Sequence, residues 1–218
     1  MNAPRLAGSR APAALLACAL LAACPAAQSP APSAAPAPAP VPVATAVAPM
    51  HLNGQAVLVV PLQAIAGIPV DQERGTAAFL AALAERDPGT RFVPPAALRR
   101  SLSGAPGYAP DPGRLPDDPF LHRGDRVMVE PIAGILRRYS ALMDLRLALV
   151  PRSARWIAAP GGTGGFVRMS AVVVDTRSAR VVWYGEADGE TRPAPDEGAL
   201  GSAARALAAR ILASAPSI

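Results

Sequence analysis

FVRMSAVVV (166–174), DTRSA (175–179) and RVVWYGEADGE (180–190) follow one another without a break, and this run decides the fold. Two stretches rich in β-branched residues flank a short polar segment, which predicts two antiparallel strands joined as a hairpin. Ala171 to Val174 and Val181 to Tyr184 are each apolar at four consecutive positions. Successive strand side chains point to opposite faces, so both faces of this hairpin need cover. Strict alternation places Trp183 with Val181 on one face and Tyr184 with Val182 on the other. Helices of the same domain covering both faces is the first expectation. Otherwise Val182 and Tyr184 mark a partner or self-association surface.

Working outward, GGTGG (161–165) reads as a flexible turn. It leads into a strand and not a helix, so it lacks the helix N-terminus that holds a phosphate. Before it, Leu145, Leu147 and Leu149 alternate with Arg146 and Ala148, the pattern of a half-buried strand. Pro131 opens a helix with Ile132, Ile135, Leu136, Tyr139, Leu142 and Met143 on one face. At the other end, Ala199 to Leu212 is a closing amphipathic helix with Leu200, Ala203, Ala204, Leu207 and Ile211 facing in.

Upstream, QAVLVV (55–60) is a buried strand closed by Pro61. Thr76 to Arg86 is helical, with Ala77, Leu80, Leu83 and Ala84 on its apolar face, and Asp87-Pro88-Gly89 stops it. TRFV (90–93) is a short strand, and Pro95 starts a helix that runs to Leu102. Residues 103–124 carry Pro106, Pro110, Pro112, Pro116 and Pro119. A surface loop of that length inside a compact domain points to function or mobility. The order β-α-β-α-α-β-β-β-α predicts an α/β (α+β) sandwich, a mixed sheet of about five strands packed by helices. It occupies residues 51–218 as one globular domain without internal repeats.

Residues 1–23 read as a lipoprotein signal peptide. Arg5 and Arg10 form a basic start, and Ala11 to Ala23 an apolar stretch too short to span a bilayer. Leu21-Ala22-Ala23-Cys24 has the form of a lipobox, in which the Cys24 thiol receives a diacylglycerol after cleavage. Leu15-Leu16-Ala17-Cys18 is a poorer rival, with bulky Leu16 where Ala22 stands in the other site. Both cysteines of the chain lie here, so the domain has no disulfide, thiol nucleophile or Cys-bound metal. Residues 24–50 form a Pro/Ala-rich disordered tether without charge. At about 3.1 Å per residue in a polyproline II form it reaches roughly 75 Å.

Of 218 residues, 51% are hydrophobic and 17% charged, which allows a sizeable core. All 21 basic residues are Arg, a pattern that reads as codon bias. The formal charge is +5, and loss of Arg5 and Arg10 with the signal lowers it by two. The arginines are scattered among acids without interleaved aromatics, which argues against nucleic-acid binding. Arg99, Arg100, Arg137 and Arg138 read as solvated helix faces, with an anionic-lipid or glycan contact as the weaker alternative.

The lipobox, the tether, an opening V-L-V-V-P-L (57–62) and a late D-T-R-S-x-R-V-V-W (175–183) occur together in a group of envelope lipoproteins. The chain resembles this CsgG / LpoB / TolB N-terminal-domain-like group over most of residues 55–212. The resemblance implies a binding, scaffolding or assembly protein and not an enzyme. It also implies a lipid-anchored layout like that of LpoB, in which a long arm from the outer membrane crosses the peptidoglycan. Two departures stand out. Ala179 occupies a position where the pattern has Gly, and the 103–124 loop is too rich in proline to supply pore-forming hairpins.

Catalytic residues are not indicated. His51 and His122 are the two histidines, and no nucleophile elbow accompanies them. Asp117, Asp118, His122 and Asp125 form the densest polar cluster and are weak metal candidates, with spacing unlike any known metal loop. No cofactor is implied. The expected role is a lipid-anchored, periplasm-facing binding or assembly protein that assists or regulates an envelope machine. Its partners would be other envelope proteins or a second copy, with membrane contact through the anchor only and the outer membrane favoured over the inner. The alternatives are an oligomeric structural subunit and, less favoured, a wall-modifying hydrolase using the acidic loop.

Overall fold

The structure, a computed structural model, describes residues 50, 52, 54–116 and 127–212. In chain order the elements are β1 (Ala56–Val59), β2 (Ala64–Ala66), α1 (Gln72–Arg86), β3 (Arg91–Val93), α2 (Pro95–Ser103), α3 (Ile132–Met143), β4 (Leu147–Ala158), β5 (Gly165–Asp175), β6 (Arg180–Asp188) and α4 (Glu197–Ile211). The six strands form one mixed sheet in the order β3-β1-β4-β5-β6, with β2 paired to the far end of β4. β1 is parallel to both β3 and β4, and β5 is antiparallel to its neighbours β4 and β6. This is the mixed α/β sandwich that the element order predicts.

Helices cover the sheet on both sides. On one side, Phe79 and Leu83 of α1 and Leu200 and Leu207 of α4 pack on Val57, Val59, Leu149, Val173 and Trp183. On the other, Leu98 of α2 and Ile132, Leu136 and Tyr139 of α3 pack on Leu58, Val60, Ala148, Val150, Val172 and Val174. Full burial of such side chains contributes about 1.5–3 kcal/mol each, so two cores on one sheet hold this end firmly. Alanine lets α4 lie close: Ala199, Ala203, Ala204 and Ala208 are all buried. At Gly189 a Cβ would fall 2.5 Å from Ser202 Oγ and 2.7 Å from the Ala203 nitrogen, so only glycine fits there. Asp71 and Asp196 cap α1 and α4, accepting from the N–H groups of Arg74 and Ala199.

Several expectations need correction. α1 begins at Gln72 and buries a face centred on Phe79, with Gly75, Thr76, Ala82 and Leu83; Ala77 and Ala84 face solvent. The segment 147–150 is buried throughout because α2 and α3 cover Ala148 and Val150, so it is not half-buried. β4 continues to Ala158 past Pro151, where the pairing with β5 slips by one residue. A bulge there accommodates the missing proline donor that would break a regular ladder. β2, unforeseen, exists through its pairing with that extension.

Candidate interaction surface

β6 is an edge strand, and its pairing with β5 slips at Val182: Val173 faces Trp183, and Val174 faces Val181. Strict alternation is therefore broken. Trp183 enters the α1/α4 core, whereas Val181 and Tyr184 both pack against the α2/α3 core. Trp183 and Val181 thus lie on opposite faces, because the bulged Val182 takes up one residue between them. Gly185 makes room for the indole: a Cβ there would stand 2.7 Å from its ring carbons. The buried Trp183 Nε1 has no hydrogen-bond partner among the described residues, so the ring is held by packing.

Val182 is 40% exposed at the bulge, and Tyr184 is half-buried. Val127, 58% exposed, bridges the start of β6 at Arg180, and Val129, 55% exposed, follows two residues on. The Tyr184 hydroxyl donates to Glu186 Oε1 at 3.3 Å. Burial and the Glu186 carboxylate push this phenol up, and the Arg152 guanidinium pulls it down.

The turn before β6 is built around one carboxylate. Arg146 holds Asp175 through two contacts of 2.6 and 2.8 Å to Oδ2, while Oδ1 accepts the N–H groups of Arg177 and Ser178. The Arg146 bond holds the Asp175 carboxyl below its usual range, against the opposing effect of burial. Ala179 sits at φ +56°, the left-handed region. The turn thus keeps a glycine-like conformation with alanine in it, at some steric cost.

Beyond this, the sheet changes character. The α2/α3 core ends at Val150, Val172 and Tyr184. Farther along, the same face carries rows set by the strand register: Ala64, Ser153, Ser170 and Glu186; then Ala66, Arg155, Arg168 and Asp188; then Ile157 and Phe166. None of these side chains belongs to that core. Ser153 and Ser170 hydroxyls are 2.8 Å apart. Arg168 makes a two-bond pair with Asp188 at 2.6 and 2.8 Å and lies 5.7 Å over the Phe166 ring. The opposite face of the same strands, with Ala154, Val167, Met169, Ala171 and Ala187, is buried under α1 and α4.

The start of the proline-rich loop is tied to the domain. Gln63 Nε2 donates to Pro112 O and its Oε1 accepts from Leu115 N–H. Gln72 Nε2 donates to Leu62 O and Gly113 O. Tyr139, its phenol pushed up chiefly by burial, donates to Pro110 O at 2.7 Å. Asp117, Asp118, His122 and Asp125 lie outside the described residues, as do Cys24 and the tether up to residue 49; Met50, counted with the tether in the sequence, bridges Leu212 and packs on the domain. Among the described residues no group of three or more His, Cys, Asp or Glu side chains is placed to hold a metal ion. No described helix is long and apolar enough to cross a membrane.

No protein-family profile matches the chain. No curated protein matches it either. Solved structures do. The LpoB C-terminal domain from Salmonella enterica is similar at 13% identity and a TM-score of 0.40, over 66% of this chain and 86% of that one. The PelC dodecamer from Paraburkholderia phytofirmans is similar at 13% identity and a TM-score of 0.44, over 77% and 96%. Lipoprotein GNA1162 from Neisseria meningitidis is similar at 18% identity and a TM-score of 0.38, over 67% and 90%. The likeness is one of fold.

Proposed function

We propose that the chain is a lipid-anchored binding protein of the bacterial envelope, an accessory or regulator of an envelope machine with no catalytic role of its own. One observation carries the reading: Leu21-Ala22-Ala23-Cys24 closes an export signal and is followed directly by an uncharged proline-rich tether. Several acyl chains, each contributing about 0.8 kcal/mol per buried CH₂, hold such a protein on a membrane without a spanning helix. The tether lets the domain work at a distance from that membrane. Pro25, and the absence of Asp after Cys24, favour the outer membrane by analogy with the resembled group. The test is palmitate labelling in cells. Label should enter the wild type and be absent from Cys24→Ser; equal labelling of both, or of neither, contradicts the anchor.

A second reading, an oligomeric subunit, draws on the exposed Val127, Val129 and Val182 along the β6 edge. Mass photometry of the purified domain distinguishes them: a defined ring or higher oligomer favours the subunit, a monomer the accessory protein.

A further inference from the structure

We propose that the far face of β4, β5 and β6, which no described helix covers, is a docking surface for an extended, carboxylate-bearing segment of another envelope protein, with Arg155 as the cation that receives it. The inference rests on the reading of the domain as a binding module and names the chemistry of its partner. It starts from a mismatch in the strand register. Arg155 on β4 stands directly opposite Arg168 on β5. Like charges directly opposite one another on a sheet destabilise it. The next position in the row is Asp188, and both of its carboxylate oxygens are engaged by Arg168. Asp188 is thus taken up by Arg168, and Glu186, the other acid on this face, accepts from the Tyr184 hydroxyl, so Arg155 is exposed without an ion pair among the described residues.

The surroundings of Arg155 suit a bound strand. Ala64, Ala66 and Ser153 are short, so a chain can approach the guanidinium closely across them. Ile157 and Phe166 form the next row and are half-buried, offering apolar contact to alternate side chains of an extended segment. The carboxylate of a Glu or Asp in that segment would take the two-pronged pairing with Arg155 that Asp188 gives Arg168. Glu186 and Asp188 stand on the same face along the β6 side. They repel a continuous anionic surface such as a bilayer and leave a localised carboxylate as the better match.

The test uses the full chain in about 0.15 M salt, where exposed charges act over about 8 Å. The probes are two fluorescent nonapeptides, Ser-Thr-Val-Thr-Glu-Thr-Ser-Thr-Ser and its form with Gln for Glu, in which the valine and the single Glu or Gln share one side when extended. The wild type should bind the Glu peptide and not the Gln peptide. Arg155→Gln should weaken binding tenfold or more, with a melting temperature equal to or above that of the wild type because a like-charge pair is relieved. The double variant Arg99→Gln, Arg100→Gln should bind as the wild type does. No binding by the wild type, or equal loss in the two variants, overturns the proposal. So does a marked drop in the melting temperature of Arg155→Gln, which would make the residue structural. Binding of phosphatidylglycerol vesicles that depends on Arg155 would assign the face to a membrane, and Arg155-dependent dimerisation would assign it to a second copy; either overturns it. Palmitate labelling is untouched by these results, so failure here leaves the anchor standing.

Discussion

The end of the sheet near the 175–179 turn and the end far from it are built from the same three strands and obey different rules. Near the turn, 147–150 and 171–174 are buried on both faces between α1/α4 and α2/α3. Far from it, apolar residues alternate with polar ones: Val167 and Met169 are buried, while Phe166 and Arg168 on the other face are only half-buried. A strand with helices on both sides carries continuous apolar runs, and a strand with one covered face alternates. One hairpin shows both patterns in sequence, and the change between them marks where the described helices stop covering that face.

The largest expected effect lies in the doubly covered end. Trp183→Ala should cost about 3–5 kcal/mol in denaturant unfolding, because it empties the space above Gly185. Trp183→Phe should cost far less, since the indole N–H has no partner to lose. If the two substitutions cost the same, the ring is not held by packing. Next in size is the carboxylate at the turn. Asp175→Asn should lose about 1–2 kcal/mol at pH 7, as expected for a hydrogen-bonded charge replaced by an amide. Because the folded-state value of Asp175 is lowered, its contribution is present above the ordinary carboxylate pKa and fades as pH falls through the lowered one. Melts from pH 2 to 7 should show the wild type losing this increment on acidification while Asp175→Asn does not. Parallel curves for the two proteins would contradict the pairing.

Smaller still, Ala179→Gly should stabilise by up to about 1 kcal/mol, relief of a left-handed alanine being partly offset by glycine's greater freedom when unfolded. A loss of stability would show that the alanine methyl packs more strongly than its backbone is strained.

Much of this contrast was legible in the residues. The apolar quartets 171–174 and 181–184 demanded cover on both faces, and the order of elements required a mixed sheet with helices. Leu200, Ala203, Ala204, Leu207 and Ile211 were readable as the inner face of α4 because their spacing is helical and nothing competes with it. What escaped the reading depends on partners distant in sequence. β2 is three residues of Ala-Ile-Ala, a strand only by virtue of its pairing with β4. Pro151 reads as a strand breaker until a bulge is known to surround it. Val182 and Tyr184 stand out within the quartet, but the bulge that parts Val181 from Trp183 has no mark of its own. Arg155 carries no signal of its own, since its significance is the residue across from it, and the register of a hairpin is not written in either strand alone.

The central claim is that one end of the sheet is enclosed and the other offers a face. Thermal melts of Val172→Asp and Phe166→Asp test it most directly, because both residues lie on β5 and point to the same side. A charge at Val172 enters the α2/α3 core without a partner and should unfold the domain. A charge at Phe166 meets water and the neighbouring Arg168, and should shift stability by no more than about 1 kcal/mol. Equal unfolding by the two substitutions would mean that the far face is core as well, and the account would fail.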